Sequence, residues 1–105
     1  MSLSTHILDT SRGRPAADVE IRLDTRRDAG WQPVATGRTN QDGRVVGWQT
    51  EQPGQYRLVF DTGGYLGPDA FYPEVVVAFR VADPEEHYHV PLLISPFGYS
   101  TYRGS

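Results

Sequence analysis

An antiparallel all-β sandwich is the fold this sequence predicts, and three observations predict it. Apolar residues recur with a period of two in several short segments, turn residues fall about every ten positions, and no segment has the length and period of a long helix. The 105 residues include 11 Gly and 8 Pro, with 38% hydrophobic residues. That composition suits short strands joined by tight turns better than it suits helices. The length fits one domain spanning residues 1–105 and is too short for two.

Taken in order, the first strand is expected at Leu3–Asp9, with Leu3, Thr5 and Ile7 on one face and His6 on the other. In Val19-Glu-Ile-Arg-Leu-Asp24 every second residue is apolar, which predicts a half-buried strand. Trp31–Thr39, Arg44–Trp48 and Gln55–Asp61 follow as strand candidates. Only Thr62–Ala70 hints at a short helix, weakened by Gly63, Gly64, Gly67 and Pro68. In Glu74–Val81 the set Val75, Val77, Phe79, Val81 lies on one face. His87–Ser95 and Gly98–Gly104 complete roughly eight strands. Between them, Asn40-Gln-Asp-Gly43, Pro53-Gly54 and Pro96-Phe-Gly98 supply the glycines and prolines that tight turns need. Trp31 and Trp48 read as core or interface residues, and Phe71-Tyr72-Pro73 as a packed loop.

Composition excludes several functions. The formal charge of −3 argues against nucleic acid, whose binding rests on a basic footprint. The longest apolar runs, Val75 to Phe79 and Val90 to Ile94, have strand lengths, so no membrane span is expected. With no cysteine, neither disulfides, thiolate catalysis nor a Cys-ligated metal is available. All ten basic residues are arginine, which removes lysine Schiff-base chemistry. The first residues reach patterned sequence at once, so no signal segment is expected and the setting is expected to be cytoplasmic.

Polar residues of catalytic type concentrate in His87–Ser105. His87 and His89 flank Tyr88 and project from one face of an extended segment. With His6 they could ligate zinc or copper, or be structural, or transfer protons. No thiol or carboxylate is placed as a further ligand, and Glu85-Glu86 reads more simply as a charged turn, so proton transfer is preferred and no metal is expected. Arg44, after the Asp42-Gly43 turn, is either a solvated edge-strand arginine or a substrate contact. Arg103, between Tyr102 and Gly104, can grip a planar oxygen-rich ligand while a ring stacks on it. Ser105 carries a hydroxyl, but no nucleophile elbow or oxyanion loop accompanies it. Attack by an activated water is therefore the better reading.

Ser4-Thr-His-Ile-Leu-Asp9, Thr39-Asn-Gln-Asp-Gly-Arg44, Phe71-Tyr-Pro-Glu74 and His87 through Ser105 closely resemble the 5-hydroxyisourate hydrolases, the transthyretin-related family of urate catabolism. The resemblance spans essentially the whole chain, and its most specific element is Tyr102-Arg-Gly-Ser105. Ile94 stands where leucine is more usual, an exchange of similar volume. The resemblance implies a prealbumin-like sandwich of two four-stranded sheets with one short helix, with the first, fourth, seventh and eighth strands in one sheet. It implies a homotetramer, a dimer of dimers around a channel, with sites at the dimer–dimer interface.

The implied activity is opening of the six-membered ring of 5-hydroxyisourate by a metal-independent hydrolase that uses no cofactor. The family's catalytic residues carry over onto His6, Arg44 and His89, and its substrate-lining residues onto Tyr102, Arg103, Gly104 and Ser105, with His87 ranked after them. His6 and His89 share the proton transfers, without a division between them. Two rival functions share the architecture. One is a transthyretin-type carrier of a planar small molecule without turnover, for which a more apolar channel would be expected. The other is a structural adhesion-type module, suggested by Thr39-Asn-Gln-Asp-Gly43 followed by Pro53-Gly-Gln-Tyr56.

Overall fold

The computed structural model of the protein describes residues 2–105. The elements run β1 (Ser2–Asp9), β2 (Arg14–Pro15), β3 (Glu20–Arg27), β4 (Gly30–Arg38), β5 (Arg44–Trp48), β6 (Gly54–Phe60), α1 (Thr62–Leu66), β7 (Val75–Val81), β8 (His87–Ser95) and β9 (Gly98–Thr101). One sheet has the order β2-β1-β8-β9, with β5 also pairing with β1. β5 lies against Leu3 to His6, while β2 takes only Leu8 and Asp9. The other sheet has the order β4-β3-β6-β7 and is antiparallel throughout.

Period-two alternation creates the core. Leu3, Ile7, Tyr88, Val90, Leu92 and Ile94 from the first sheet meet Ile21, Leu23, Tyr56, Leu58, Phe60, Val75 and Val81 from the second. Burying each such side chain stabilises the fold by roughly 1.5–3 kcal/mol before conformational entropy is charged against it. The expected one-sided set of Glu74–Val81 holds in β7: Val75 and Val81 are buried, and Val77 and Phe79 pack partly against the core.

Three features depart from simple alternation. β1 and β8 pair in parallel, from Ser2 opposite His87 to Asp9 opposite Ile94, within a sandwich otherwise antiparallel. Hydrophobic alternation fixes which face a residue occupies and is silent on strand direction. A bulge between Leu23 and Asp24 sets Asp24 opposite Pro33, and the Asp24 carboxylate is only 1% exposed. Arg22 donates to it from Nε (2.8 Å) and Nη2 (3.1 Å), and Arg57 from Nε (2.7 Å). The Arg57 guanidinium in turn lies 4.7 Å from the Trp31 ring, so Trp31 serves this charged cluster rather than the core. Finally, Phe71 and Tyr72 stay 64% and 39% exposed: their rings pack edge to face on each other, and Tyr72 also on Tyr99, not into the interior.

Candidate active site

The loop before β5 is built to deliver Arg44. Asn40 Oδ1 accepts from the N–H of Asp42 (2.9 Å) and of Arg44 (3.0 Å), and Gly43 N–H donates to Asn40 O. Gly43 has φ +75°, and a Cβ there would sit 2.5 Å from Ile7 O. Only glycine allows this turn to dock on β1, where Ile7 N–H donates to Gly43 O at 2.8 Å. Docking sets the register, and Arg44 falls directly opposite His6.

On the other side of β1, parallel pairing with β8 places Ser4 opposite His89 and Ser2 opposite His87. The four side chains share the face away from the core and touch. Ser4 Oγ lies 2.8 Å from His89 Nδ1 and 3.3 Å from His87 Nε2, and Ser2 Oγ lies 2.5 Å from His87 Nδ1. His89 is half-buried and His87 exposed. Burial lowers the His89 pKa, and Arg44 and then the neighbouring His6 lower it further, against a hydrogen bond to the Ser4 backbone that raises it. His89 is therefore a neutral imidazole near pH 7.

The tail reaches His89 through an interrupted ladder. β9 pairs with β8 as far as Thr101 opposite Leu92, and the same register resumes where Gly104 bridges His89. Pro91, between them, has no N–H to give, and its carbonyl is taken by the Thr101 hydroxyl at 2.7 Å. The expected strand Gly98–Gly104 thus ends at Thr101, with an isolated bridge at Gly104. Gly104 N–H donates to His89 O at 2.8 Å, and a Cβ on Gly104 would lie 2.4 Å from His89 Cδ2. The backbone of residue 104 therefore lies directly on the imidazole.

The structure brings His6, Arg44, His87, His89 and Gly104 together on one face. Arg103 turns away: its guanidinium lies 4.8 Å from the Tyr88 ring and 3.1 Å from Glu86 Oε1. Tyr102 and Arg103 line a groove of about 350 Å³ with Val77, Phe79, Tyr88 and His89, so the tail flanks the imidazole from the sandwich edge. Ser105 is exposed, one residue beyond the bridge. A larger concavity of about 820 Å³ by the β3–β4 turn, lined by Arg26, Arg27, Asp28, Ala29 and Gln32, contains no histidine. Among the described residues, no three His, Cys, Asp or Glu side chains are grouped to hold a metal ion.

Sequence reasoning passed over Ser2 and Ser4. The run Ser2, Ser4, His6 at a spacing of two was the available signal, but only the parallel pairing shows that the serines meet His87 and His89.

The HIUase/Transthyretin family model matches residues 3–104. The 5-hydroxyisourate hydrolase of Salmonella dublin is 50% identical over 109 residues, covering 98% of this chain and 80% of that protein. The structure of Klebsiella pneumoniae 5-hydroxyisourate hydrolase superposes with a TM-score of 0.84 at 35% identity, covering 100% of both chains. Transthyretin from Sparus aurata superposes with a TM-score of 0.87 at 36% identity, covering 97% of this chain and 95% of that one. This chain belongs to the HIUase/transthyretin family.

Proposed function

We propose that this chain is a 5-hydroxyisourate hydrolase, opening the six-membered ring at the amide between N1 and C6 to give 2-oxo-4-hydroxy-4-carboxy-5-ureidoimidazoline in urate breakdown. The observation that carries this reading is His89, kept neutral by burial and by Arg44 and His6, with Nδ1 engaged by Ser4. A neutral imidazole near its working pH is a competent general base.

In the proposed step, His89 takes a proton from water as the water oxygen attacks C6. The carbonyl electrons move onto oxygen, where the fixed charge of Arg44 stabilises them. Donors of this kind contribute about 10²- to 10³-fold each in well-studied sites. As the tetrahedral centre collapses, the C6–N1 bond breaks and N1 takes a proton, for which His6, opposite Arg44, is the candidate donor. Gly104 and Ser105 would border the substrate ring from the tail, with Tyr102 in the flanking groove, Arg103 swinging in from its contact with Glu86, and His87 behind His89.

The proposal extends to one domain over residues 1–105 acting in the cytoplasm as a homotetramer, a dimer of dimers with the site at the dimer–dimer interface. The catalytic face supports burial against a second copy, since Val46, two residues from Arg44 on the same face, is 66% exposed. No helix among the described residues is long and apolar enough to cross a membrane. The carrier reading draws on the likeness to Sparus aurata transthyretin. What favours hydrolysis over it is the set His6, Arg44 and His89 on a single polar face.

The test is the ultraviolet decay of 5-hydroxyisourate, generated in place from urate by urate oxidase, with wild type and His89→Ala. General-base catalysis contributes about 10²- to 10⁴-fold, so His89→Ala should lose at least about a hundredfold in kcat. A folded wild-type assembly that leaves the decay unchanged would put the carrier reading first.

A further inference from the structure

We infer that Ser4 and His87 are positioning residues that hold His89 in the tautomer protonated on Nδ1, leaving the Nε2 lone pair toward the reacting water. The inference deepens the hydrolase reading in its kinetic part and is independent of it in its spectroscopic part. It rests on the chain of contacts Ser2–His87–Ser4–His89, which the in-register parallel pairing of β1 with β8 creates.

A serine hydroxyl has one proton to donate and lone pairs to accept. Ser4 Oγ stands between two imidazole nitrogens, 2.8 Å from His89 Nδ1 and 3.3 Å from His87 Nε2, and can donate to only one of them. The ring it does not donate to must supply the N–H. With the hydroxyl turned to His87 Nε2, His89 Nδ1–H donates to Ser4 Oγ, and His87 carries its own proton on Nδ1, directed at Ser2 Oγ. With the hydroxyl reversed, His89 would carry its proton on Nε2 and could not act as a base there.

The neighbouring positive charge selects the first polarity, and burial protects the contact chain from water. Arg44 is a donor-only cation whose charge bears on His89, and a lone pair on the outward nitrogen is favoured beside it over an N–H. Ser4 is also only 7% exposed, so water cannot easily replace either partner of its hydroxyl. The hydrogen bond made by one ring nitrogen fixes the state of the other, and here the bond that His89 Nδ1–H donates to an all-but-buried serine leaves the lone pair on Nε2.

The experiment is nitrogen-15 NMR of the histidine rings near neutral pH in wild type, Ser4→Ala, Ser4→Thr and His87→Ala, with 5-hydroxyisourate turnover measured on the same preparations. Wild-type His89 should be the Nδ1–H tautomer. Ser4→Ala should mix the two tautomers and lower kcat by about tenfold to a hundredfold with little change in KM, the loss typical of removing a group that orients a functional imidazole. His87→Ala, which frees the hydroxyl to turn, should mix the tautomers as well. Ser4→Thr keeps the hydroxyl on a β-compatible side chain and should restore both readouts, separating the loss of a hydrogen bond from a folding defect. An Nε2–H tautomer for His89 in wild type overturns the inference, as does a folded Ser4→Ala that keeps the wild-type tautomer and kcat. A wild type with the expected tautomer but no turnover would sink the hydrolase reading and leave the tautomer assignment standing.

Discussion

Replacing Gly104 by alanine tests the site with a single carbon atom. The added Cβ would lie 2.4 Å from His89 Cδ2, where ordinary contact begins at 3.4 Å, and also 3.2 Å from His89 Cγ and 3.4 Å from Pro91 Cγ. At least about 1 Å of relief is needed, and the neighbours offer only two ways to find it. If the tail lifts, the Gly104 N–H bond to His89 O (2.8 Å) is lost, a net cost of about 1 kcal/mol, and residues 102–105 leave the imidazole. If the ring turns instead, Nδ1 leaves Ser4 Oγ. Either way the proton-transferring imidazole or the backbone bordering the substrate is displaced by about 1 Å, and misplacements of that size cost on the order of 10²-fold in rate. The expected result is a variant that melts within a few degrees of wild type yet opens 5-hydroxyisourate about a hundredfold more slowly. The assay is ultraviolet decay of freshly generated substrate, paired with a circular dichroism melt. Wild-type kcat in Gly104→Ala would refute the claim that the backbone of residue 104 is part of the site.

Three further expectations follow from the titratable groups. Because burial, Arg44 and His6 lower the His89 pKa, the acid limb of kcat/KM should fall below the ordinary histidine value of about 6.5, which a pH–rate profile measures directly. The same shift has a stability sign: the neutral form favours the fold, so the contribution is present above about 6.5 and is lost as pH falls through the lowered folded value. Urea midpoints against pH should show that loss in wild type and lack it in His89→Gln. Asp24→Ala should lower the urea midpoint by an amount corresponding to about 1–3 kcal/mol, since it strands Arg22 and Arg57 around an emptied site. Hydrogen bonds from Arg22 and then Arg57 outweigh burial and lower the Asp24 pKa, so wild type should lose this contribution only as pH falls below the ordinary 3.8, and an unchanged midpoint in the variant would refute it.

The sequence by itself determined the strands and their faces. Period-two alternation places Leu3 and Ile7 inside and His6 outside whatever the partners are, because side chains alternate across any strand. It placed six of the eight expected strands within one residue, ended β3 three residues early and β9 three residues late, and missed the two-residue β2, which makes no hydrophobic pattern. It also singled out His6, Arg44, His87 and His89 as candidates, which the structure brings to one face. What tertiary structure decided is which faces meet. Parallel pairing of β1 with β8 makes Ser2 and Ser4 partners of two histidines more than eighty residues away, and strand direction leaves no trace in local alternation. The course of the tail was decided the same way: alternation puts Arg103 and Gly104 on opposite faces, but only the register across Pro91 shows that Gly104 lies on His89 while Arg103 pairs with Glu86. Asp24 makes the same point in the other sheet. A carboxylate in an alternating strand looks solvent-facing until a bulge and two arginines from β3 and β6 enclose it, because burial depends on neighbours that the local sequence does not contain.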